Sequence, residues 1–537
     1  MSEPEDTSSG ATTVSDRGRS DARPMTSTLY GVLGVVSAAF GVAVGTLVAA
    51  FTDPAFAPIE VVASTAVDIP PAIVKEWATS TFGTATKSIV IVVVIVAVVV
   101  LSAWAGVMAR RRMSLGVLMM LVGGAAGAAA ALLRPIDTLL APIPALIAGG
   151  VAAGTLWALV RWSVTDVAVV PDGITFGDVV APAAAVDRRG FLLGVGGVVL
   201  VGGAVFASAR WLTNQASAVA SRVATVLPRP AAPLPALPAS VQAPVPGMTP
   251  FITPNSDFYR IDTAILVPQL AAEEWSLTID GMVRRPLTIT YADLLDMEMV
   301  ERDVTIMCVS NPIGGDLIGT ARWLGTPLMP LLERAGIEVG ADQLLSTSID
   351  GWTCSTPLDG LAEREPLLVV GMNGEPLPIQ HGFPVRMVIP GLYGFISATK
   401  WVTSIQVTTY AADPAYWTVR GWATDAPVLT GSRIDLPSGS LSAGLTGIAG
   451  IAWAMDGDGI SRVEVSVDGG AWQDATLADQ PTPRTWRQWW IDWEASSGSH
   501  VIAVRATNGL GEVQTSEVQD VIPSGATGYD TRSVDVA

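Results

Sequence analysis

Residues 305–316 read Thr305-Ile-Met-Cys308-Val-Ser-Asn311-Pro-Ile-Gly-Gly315-Asp and place one cysteine where a β-type run enters a turn. A strand end that opens into a turn rich in Asn, Pro and Gly can present a side chain to a bound group while backbone N–H groups stay free. A cysteine in that place is a soft metal ligand, a nucleophile, half of a disulfide or a small apolar filler. These four roles imply different functions.

The composition limits the classes of protein to which the chain can belong. Half of its 537 residues are apolar, in blocks within the first two fifths, which favours a membrane region followed by soluble domains. The formal charge of −18 argues against a nucleic-acid partner. The two cysteines rule out a disulfide scaffold. With His381 and His500 as the only histidines, both beyond the apolar blocks, neither haem nor an iron–sulfur cluster is expected.

Four apolar runs of about 20 residues predict a four-helix transmembrane region over residues 28–161. The runs are Leu29–Phe51, Ile89–Met108, Leu115–Leu133 and Leu139–Val160. The polar residues 1–27 are predicted to be a disordered cytoplasmic tail. After a loop at 162–190, residues 191–211 form a fifth predicted transmembrane helix.

Arginines set the predicted orientation of these helices. Arg188 and Arg189, directly before the fifth apolar run, resemble a twin-arginine export signal, and an ordinary positive-inside flank explains them equally well. If five helices alternate, these two arginines, the triplet at 110–112, Arg161 and the arginines of the tail share one side. We therefore predict a multi-pass protein of the cell membrane, with a cytoplasmic N-terminus and with the residues after 210 on the extracytoplasmic side.

The rest of the chain divides by composition into four segments. Residues 212–250 are predicted to be a Pro-rich tether that acts as a semi-rigid spacer, and residues 251–416 a mixed α+β domain with short helices at Tyr291–Met297 and Leu328–Ala335. Short alternating strands with Asp-Gly and Asn-Gly turns predict an all-β, immunoglobulin-like sandwich over 417–523. Residues 524–537 are predicted to be a loose tail. Most of the seventeen tryptophans lie beyond residue 270, as large β-rich domains would use them.

Two cations lie where a charge is costly. Arg386 sits inside the apolar run Phe383-Pro-Val-Arg-Met-Val-Ile-Pro390, and Lys400 directly precedes another strand. A buried cation needs an anionic partner, which is either a carboxylate in a structural ion pair or a bound anion such as phosphate. The motifs G-x-S-x-G and H-E-x-x-H are absent from the sequence, and a Cys308–His381 pair would lack an orienting third group.

From residue 253 to 523 the chain resembles the sulfite oxidase family of molybdopterin enzymes, especially its exported bacterial members. The core motifs are TPNSDFYRIDT at 253–263, WSLTIDGMV at 275–283, TIMCVSN at 305–311, STSIDGWT at 346–353, MNGEPLPIQHGFPVRMVIPGLYG at 372–394 and a TKW that ends at Trp401. In the sandwich, VEVSVDGGAW at 463–472 and WRQWWIDW at 486–493 are similar to the family's dimerisation domain, which implies homodimer formation there.

The resemblance implies a molybdenum–molybdopterin cofactor with one pterin, and Cys308 as its metal ligand. Cys308, Tyr259 and Arg260 are the implied catalytic residues. The implied cofactor-binding residues are Asn255, Phe258, Tyr259, Cys308, Ser348, His381, Arg386, Ala398, Thr399 and Lys400.

One departure from the family pattern bears on the substrate. Family members that oxidise sulfite carry arginines just after the metal cysteine, whereas this chain has Ser310, Asn311 and Pro312. Sulfite is therefore not the favoured substrate, unless Arg260 or Arg322 supplies the missing charge.

The sequence thus predicts a membrane-anchored molybdopterin-dependent oxidoreductase that performs two-electron oxo transfer on a small substrate at the outer face of the membrane. Its electrons would pass through a separate electron-transfer protein or a quinone-linked partner. Within the family, a sulfite oxidase proper and a sulfoxide reductase are the alternatives. The alternative of another class is a non-catalytic, membrane-tethered β-rich binding protein with a Cys308–Cys354 disulfide.

Overall fold

The computed structural model describes residues 26–70, 86–134, 139–166, 184–186, 188–215, 218–264, 267–439 and 441–537, together with residues 74, 78, 81 and 82. The predicted cytoplasmic tail and most of the loop 162–190 lie outside the described residues. The chain forms two compact units. The first comprises Met1–Thr65, Lys87–Leu133 and Thr138–Trp211, and the second comprises Ala66–Thr86, Arg134–Asp137 and Leu212–Ala537.

Long apolar helices make up the first unit. Its elements in chain order are α1 (Ser27–Thr52), α2 (Pro58–Asp68), α3 (Thr86–Arg111), α4 (Met113–Leu132), α5 (Ile143–Ser163), the short paired strands β1 (Val164–Asp166) and β2 (Ala184–Val186), and α6 (Arg188–Gln215). Five of these helices, α1 and α3 to α6, are long and apolar enough to cross a membrane, as predicted. Sequence reasoning missed α2, because its prolines and short length read as a connection.

Small residues allow the helices of this unit to pack closely. Helices α4 and α5 meet at Gly124 and Gly149, where a Cβ on either glycine would lie 2.7 Å from the other's Cα. A larger side chain at either position would force the two backbones apart.

Within Leu212–Ala537, the second unit contains α7 (Ala218–Ala224) and then two five-stranded sheets. Their elements are β3 (Ser276–Gly281), β4 (Leu287–Thr290), α8 (Tyr291–Leu295), β5 (Val300–Met307), β6 (Ile318–Pro327), α9 (Met329–Ala335), β7 (Gln343–Ser348), β8 (Thr353–Pro357), β9 (Leu367–Met372), β10 (Glu375–Pro376), β11 (Arg386–Val388) and β12 (Val402–Thr408). One sheet has the order β10-β9-β6-β5 with β11 also paired to β9, and the other has the order β4-β3-β12-β7-β8. The predicted α+β architecture is confirmed.

Two four-stranded antiparallel sheets follow. Their strands are β13 (Gly431–Leu436), β14 (Gly444–Trp453), β15 (Ile460–Val467), β16 (Gln473–Asp474), β17 (Thr476–Leu477), β18 (Arg487–Ala495), β19 (Gly498–Asn508) and β20 (Asp530–Val536). The orders are β13-β14-β18-β17 and β16-β15-β19-β20. Ile434 and Trp489 of the first sheet share a buried cluster with Val463 and Val504 of the second.

Residues 530–536 are not the loose tail that their polarity predicts. They form β20, which pairs with β19 from Gly498↔Val536 to Val504↔Asp530 and buries Val534 and Val536 on alternate positions. Pairing with a neighbouring strand satisfies the backbone and supplies a buried face, and both advantages come from tertiary contacts rather than from local sequence.

The Pro-rich segment 226–250 is a strap packed on the second unit, so the predicted free spacer is wrong for this segment. Ala231 N donates to Met299 O over 2.9 Å, and Ala243 N donates to Gln488 Oε1 over 2.6 Å. Val241 and Met248 of the strap are buried. Where the strap is extended, its backbone makes no internal hydrogen bonds, so N–H groups such as that of Ala231 can bond to other parts of the fold.

Candidate active site

The turn after β5 presents Cys308 and is closed by its own hydrogen bonds. Cys308 N donates to Leu317 O over 2.9 Å, and Asn311 N donates to Cys308 O over 3.1 Å. The Asn311 side-chain oxygen accepts from Leu317 N at 2.8 Å. The asparagine that follows the cysteine therefore shapes the turn.

Two residues of the C-terminal sheets brace the same turn. Arg433 on β13 donates to Gly315 O over 3.0 Å. Gly314 has a φ of +70°, and a Cβ there would lie 2.7 Å from Oδ1 of Asp530 on β20. This position needs glycine for both reasons, and the turn is held from outside the domain that contains it.

A cavity of about 130 Å³ opens beside Cys308. Eight of the eleven residues predicted for the site line it, namely Phe258, Tyr259, Cys308, Ser348, His381, Arg386, Ala398 and Lys400. These residues come from five separate stretches of the chain, so the fold assembles most of the predicted site in one place.

Both cysteines of the chain are free, so the predicted alternative of a Cys308–Cys354 disulfide is wrong. Burial raises the pKa of the Cys308 thiol, while hydrogen bonds from Ser310 and the charge of Lys400 oppose that rise. The thiol is therefore protonated at neutral pH unless a cation binds to it. Cys354 is fully buried beside the hydroxyl groups of Ser346, Thr356 and Thr399.

Arg386 is a buried cation without a carboxylate partner among the residues that the structure describes. Its Nη1 donates to His381 O over 3.1 Å and its Nη2 to Ala398 O over 3.4 Å, while its Nε has no partner. The guanidinium lies 5.0 Å from the centre of the Trp323 ring. Burial lowers the pKa of Arg386 to about 10, so it is still charged at neutral pH. A structural ion pair does not explain this arginine.

Lys400 does have a carboxylate partner. Its Nζ lies 2.8 Å from Oδ2 of Asp262, which also accepts from Arg260 Nε at 2.9 Å. Burial lowers the pKa of Lys400 to about 8, although Asp262 opposes that shift. The sequence analysis did not identify Asp262, although it stands two residues after Arg260 in the motif TPNSDFYRIDT.

His381 is neutral at physiological pH. Burial, together with the charges of Arg386 and Lys400, lowers its pKa to about 4. Its Nε2 lies 3.2 Å from Asn255 O, which fixes Nε2 as the protonated nitrogen of the neutral ring. Nearby, Ser348 Oγ is buried and has no hydrogen-bond partner.

Two aromatic residues cover one side of the cavity. Phe258 stacks on Tyr259 with ring centres 5.4 Å apart and meets the edge of His381 at 5.6 Å. Burial, assisted by the nearby thiol of Cys308, raises the pKa of Tyr259, so its phenol keeps its proton. It is available as a hydrogen-bond donor within the cavity.

Three predicted residues lie outside the cavity lining. The side chain of Asn255 bonds to Asn373 and to the backbone of Met372, and Thr399 Oγ1 lies 2.7 Å from Ser346 Oγ. Arg260 is paired with Asp262. The suggestion that Arg322 supplies charge to the site is wrong, because Arg322 pairs with Asp303 at 2.8 Å and does not line the cavity.

Four tryptophans of the lining were not predicted as site residues. They are Trp352, Trp401, Trp417 and Trp422. Sequence reasoning assigned the tryptophans of this region to β-sheet packing. Two of the quoted motifs were available signals, namely STSIDGWT, which carries Trp352 four residues after Ser348, and the TKW that ends at Trp401.

Comparison with known proteins agrees with this geometry. Residues 264–417 match the model of the oxidoreductase molybdopterin binding domain. The human mitochondrial sulfite oxidase is 29% identical over 297 residues, which cover 46% of this chain and 54% of that protein. This chain therefore spans about half the length of the mammalian relatives it matches. The sulfite oxidase of Arabidopsis thaliana is 26% identical over 337 residues, or 50% of this chain and 84% of that protein.

Two further matches come from bacteria. The uncharacterized oxidoreductase YuiH of Bacillus subtilis (strain 168) is 32% identical over 149 residues, which cover 28% of this chain and 72% of that protein. Among solved structures, the sulfane dehydrogenase SoxCD from Paracoccus pantotrophus aligns with 53% of this chain and 81% of its own, at 24% identity and a TM-score of 0.48. On the family-model match and the match to YuiH, this chain belongs to the sulfite oxidase family of molybdopterin-dependent oxidoreductases.

Proposed function

We propose that this protein is a membrane-anchored, molybdenum-dependent oxidoreductase that transfers an oxo group to or from a small substrate on the outer face of the membrane. One observation carries the proposal. Arg386, a buried arginine without a carboxylate partner in the part of the chain that the structure describes, lines the same cavity as the free thiol of Cys308.

The donor groups in the cavity fit a metal-bearing cofactor with a phosphate. A thiolate is a soft ligand suited to molybdenum, and a guanidinium matches the geometry of phosphate. Arg386 Nε and Ser348 Oγ are buried without partners, and each unmade hydrogen bond costs about 1–3 kcal/mol. A bound pterin phosphate would satisfy such donors.

We assign the metal to Cys308 and the phosphate-bearing end of the cofactor to Arg386, Lys400 and Ser348. His381 contributes a neutral ring, and Ala398 accepts from Arg386 through its carbonyl. When bound, the molybdenum cofactor supplies the two-electron redox chemistry and the transferable oxygen. The chain's own residues bind, orient and enclose the reactants.

Tyr259 is the residue that we assign to the substrate side, as a protonated phenol near Cys308. Phe258 and the tryptophans of the lining exclude water, which strengthens every polar interaction inside the cavity. Asn255 and Thr399, the two remaining residues assigned to the cofactor, act indirectly. Asn255 acts through its carbonyl, which faces His381, and Thr399 acts by packing beside Ala398. Arg260, assigned as a catalytic residue, acts through Asp262.

The turn after Cys308 favours an uncharged substrate, such as a sulfoxide, over sulfite. Ser310 lines the cavity there, and the Asn311 side chain is used to close the turn. The arginines that could replace the missing charge are engaged, since Arg260 pairs with Asp262 and Arg322 with Asp303. A panel of sulfoxides and sulfite, assayed with artificial electron donors and acceptors, tests this preference. Turnover of sulfite alone would reverse it.

The remaining parts of the proposal concern location and partners. Five helices could anchor the chain, and the arginine distribution supports a catalytic domain on the outer side, with the Arg188-Arg189 pair proposed as a twin-arginine signal. Electrons would pass to a separate electron-transfer protein or a quinone-linked partner, because the sequence offers no histidine pair for haem. We also propose that the two C-terminal sheets are an immunoglobulin-like sandwich that supports a homodimer.

The first test is metal analysis of the full chain, purified from a host that makes the cofactor. We expect about one molybdenum per chain in the natural protein, and its loss in Cys308→Ser, because the hydroxyl is a poor soft ligand. Cys354→Ser is the matched control and should retain the metal, since Cys354 does not line the cavity. Molybdenum at full occupancy in Cys308→Ser, or none in the natural protein, would contradict the proposal.

A further inference from the structure

Asp262, which lines the cavity, links the segment 253–263 to Lys400. The residue lies in the irregular segment 253–263, and its carboxylate is almost completely buried. One carboxylate oxygen accepts from Lys400 Nζ at 2.8 Å and from Arg260 Nε at 2.9 Å. The carboxylate therefore orders two cations at once.

We propose that Asp262 is a positioning residue that holds the Lys400 ammonium at the cavity and keeps it charged, so that Lys400 and Arg386 together face the cofactor's phosphate. This inference rests on the function proposed above. It assigns a role to a residue that does not itself contact the phosphate.

The surroundings of Lys400 show why it needs this carboxylate. The titratable and charged groups that act on Lys400 are Arg260, Arg386, His381, Cys308 and Asp262. Burial and the two arginines lower the pKa of Lys400, and Asp262 alone raises it. The balance is a pKa of about 8, so Lys400 is mostly charged at pH 7 and loses its charge as the pH rises through about 8. Without Asp262 that loss moves to lower pH.

The remaining contacts of the ammonium fix its position rather than its charge. Nζ donates to Gln380 O over 3.3 Å and lies 4.7 Å from the centre of the Trp401 ring. A carbonyl and an aromatic face attract a cation weakly, and neither replaces a carboxylate at 2.8 Å.

The same ion pair fastens the segment that covers the cavity. Segment 253–263 carries Phe258 and Tyr259, which line the cavity, and Asn255 O of the same segment contacts His381 Nε2 at 3.2 Å. Loss of the Asp262–Lys400 pair should therefore reduce the positive charge at the cavity. It should also loosen the segment 253–263, which covers the cavity.

The experiment compares Asp262→Asn and Asp262→Glu with the natural chain. Full-length proteins are dialysed between pH 6 and 9, and the retained molybdenum and pterin are measured per chain. The natural protein should retain its cofactor to a higher pH than Asp262→Asn does, because Asp262 raises the pKa of Lys400. In Asp262→Asn we expect several-fold less cofactor at pH 7.5, with partial recovery towards pH 6 as Lys400 regains its proton. Asp262→Glu should restore most of the retention.

Asp257→Asn is the matched control, because it removes a carboxylate from the same segment, where Asp257 bonds to Ser256. It should behave like the natural chain. An Asp262→Asn protein that keeps its cofactor at every pH, or loses it equally at every pH without rescue by Glu, would overturn the positioning role.

A second readout separates this inference from the proposed function. In cofactor-free protein, the pH dependence of reductive methylation at Lys400, followed by mass spectrometry, reports the charge of the ammonium directly. The midpoint for Lys400 should fall in Asp262→Asn and stay unchanged in Asp257→Asn. An unchanged midpoint in Asp262→Asn would overturn the inference even if molybdenum binds, and a shifted midpoint would support it even if the cofactor is another phosphate compound.

Discussion

Three cations of the catalytic domain differ in whether a carboxylate lies beside them, and this one partner decides whether the charge is already neutralised. Arg322 and Lys400 each lie within 2.8 Å of a carboxylate, whereas Arg386 donates to two carbonyls, lies beside an indole ring and has no carboxylate partner among the described residues. The sequence could indicate that Arg386 and Lys400 were unusual, because Arg386 lies inside an apolar run and Lys400 directly precedes a strand. It could not tell which of them was already neutralised, since Asp262 is 138 positions away from Lys400.

Arg386→Met should weaken cofactor binding without destabilising the fold. In cofactor-free protein this change removes a buried unpaired charge and two hydrogen bonds of about 1 kcal/mol each, so the melting temperature should change little. Arg322→Met leaves the buried Asp303 carboxylate alone and should cost about 2–4 kcal/mol, allowing for the partial exposure of Arg322. Thermal unfolding of both variants measures the difference, and metal analysis should show at least a tenfold loss for Arg386→Met.

Equal destabilisation by the two substitutions would mean that Arg386 is a structural residue. In that case the unpaired Nε would have no functional explanation, and the assignment of the phosphate to Arg386 would fail.

At the scale of elements, the turn that carries Cys308 is contacted by strands far away in sequence. Arg433 of β13 and Asp530 of β20 reach Gly315 and Gly314. The Asn, Pro and Gly residues indicate a turn, but their sequence does not show which distant residues contact that turn. Long-range contacts of this kind are what single-sequence reasoning cannot supply.

Arg433→Gln should loosen this turn. Without the hydrogen bond to Gly315 O, we expect the thiol of Cys308 in cofactor-free protein to react several-fold faster with a disulfide reagent. Arg532→Gln is the control, because Arg532 bonds to the carbonyls of Asp435 and Pro437 and does not touch the turn. Cys354 is fully buried and should not react with the reagent in either protein. Equal rates in the two variants would show that Arg433 does not hold the turn.

Two elements show where local pattern fails. Strand β6 was not predicted, because its sequence IGTARWLGTP mixes glycines, threonines and an arginine, yet it lies between β9 and β5 and is mostly buried. The strap 226–250 was predicted as an isolated spacer because its prolines indicate an extended chain. The extended conformation was right for most of the strap, but its packing was decided by groups on other strands.

At the scale of the whole molecule, the long apolar helices are the part of the structure that the sequence predicted most completely. Apolar runs of membrane length need no tertiary information, because the bilayer imposes the length and the polarity directly. The positions of the five helices therefore agree with the predicted runs to within a few residues. The orientation of the helices follows from charge counting and is open to a direct test.

The native cysteines leave the surface free for topology mapping, because Cys308 and Cys354 are both buried. Ser499→Cys on β19 and Ser114→Cys at the start of α4 are exposed positions on opposite sides of the proposed topology. A membrane-impermeant maleimide applied to intact cells should label Ser499→Cys and not Ser114→Cys. Both should react after the membrane is permeabilised. The reverse pattern in intact cells would place the catalytic domain in the cytoplasm.

The support of the Cys308 turn by β20 has a consequence for biosynthesis. Asp530 follows Cys308 by 222 positions (530 − 308), so a nascent chain that has already exposed the cysteine lacks the carboxylate against which Gly314 packs. Contacts of such long range form late, since a large loop must close first. We therefore expect the turn after Cys308 to reach its final packing only after translation has passed residue 530. Cofactor loading would then be a step of maturation that follows synthesis of both β-rich parts.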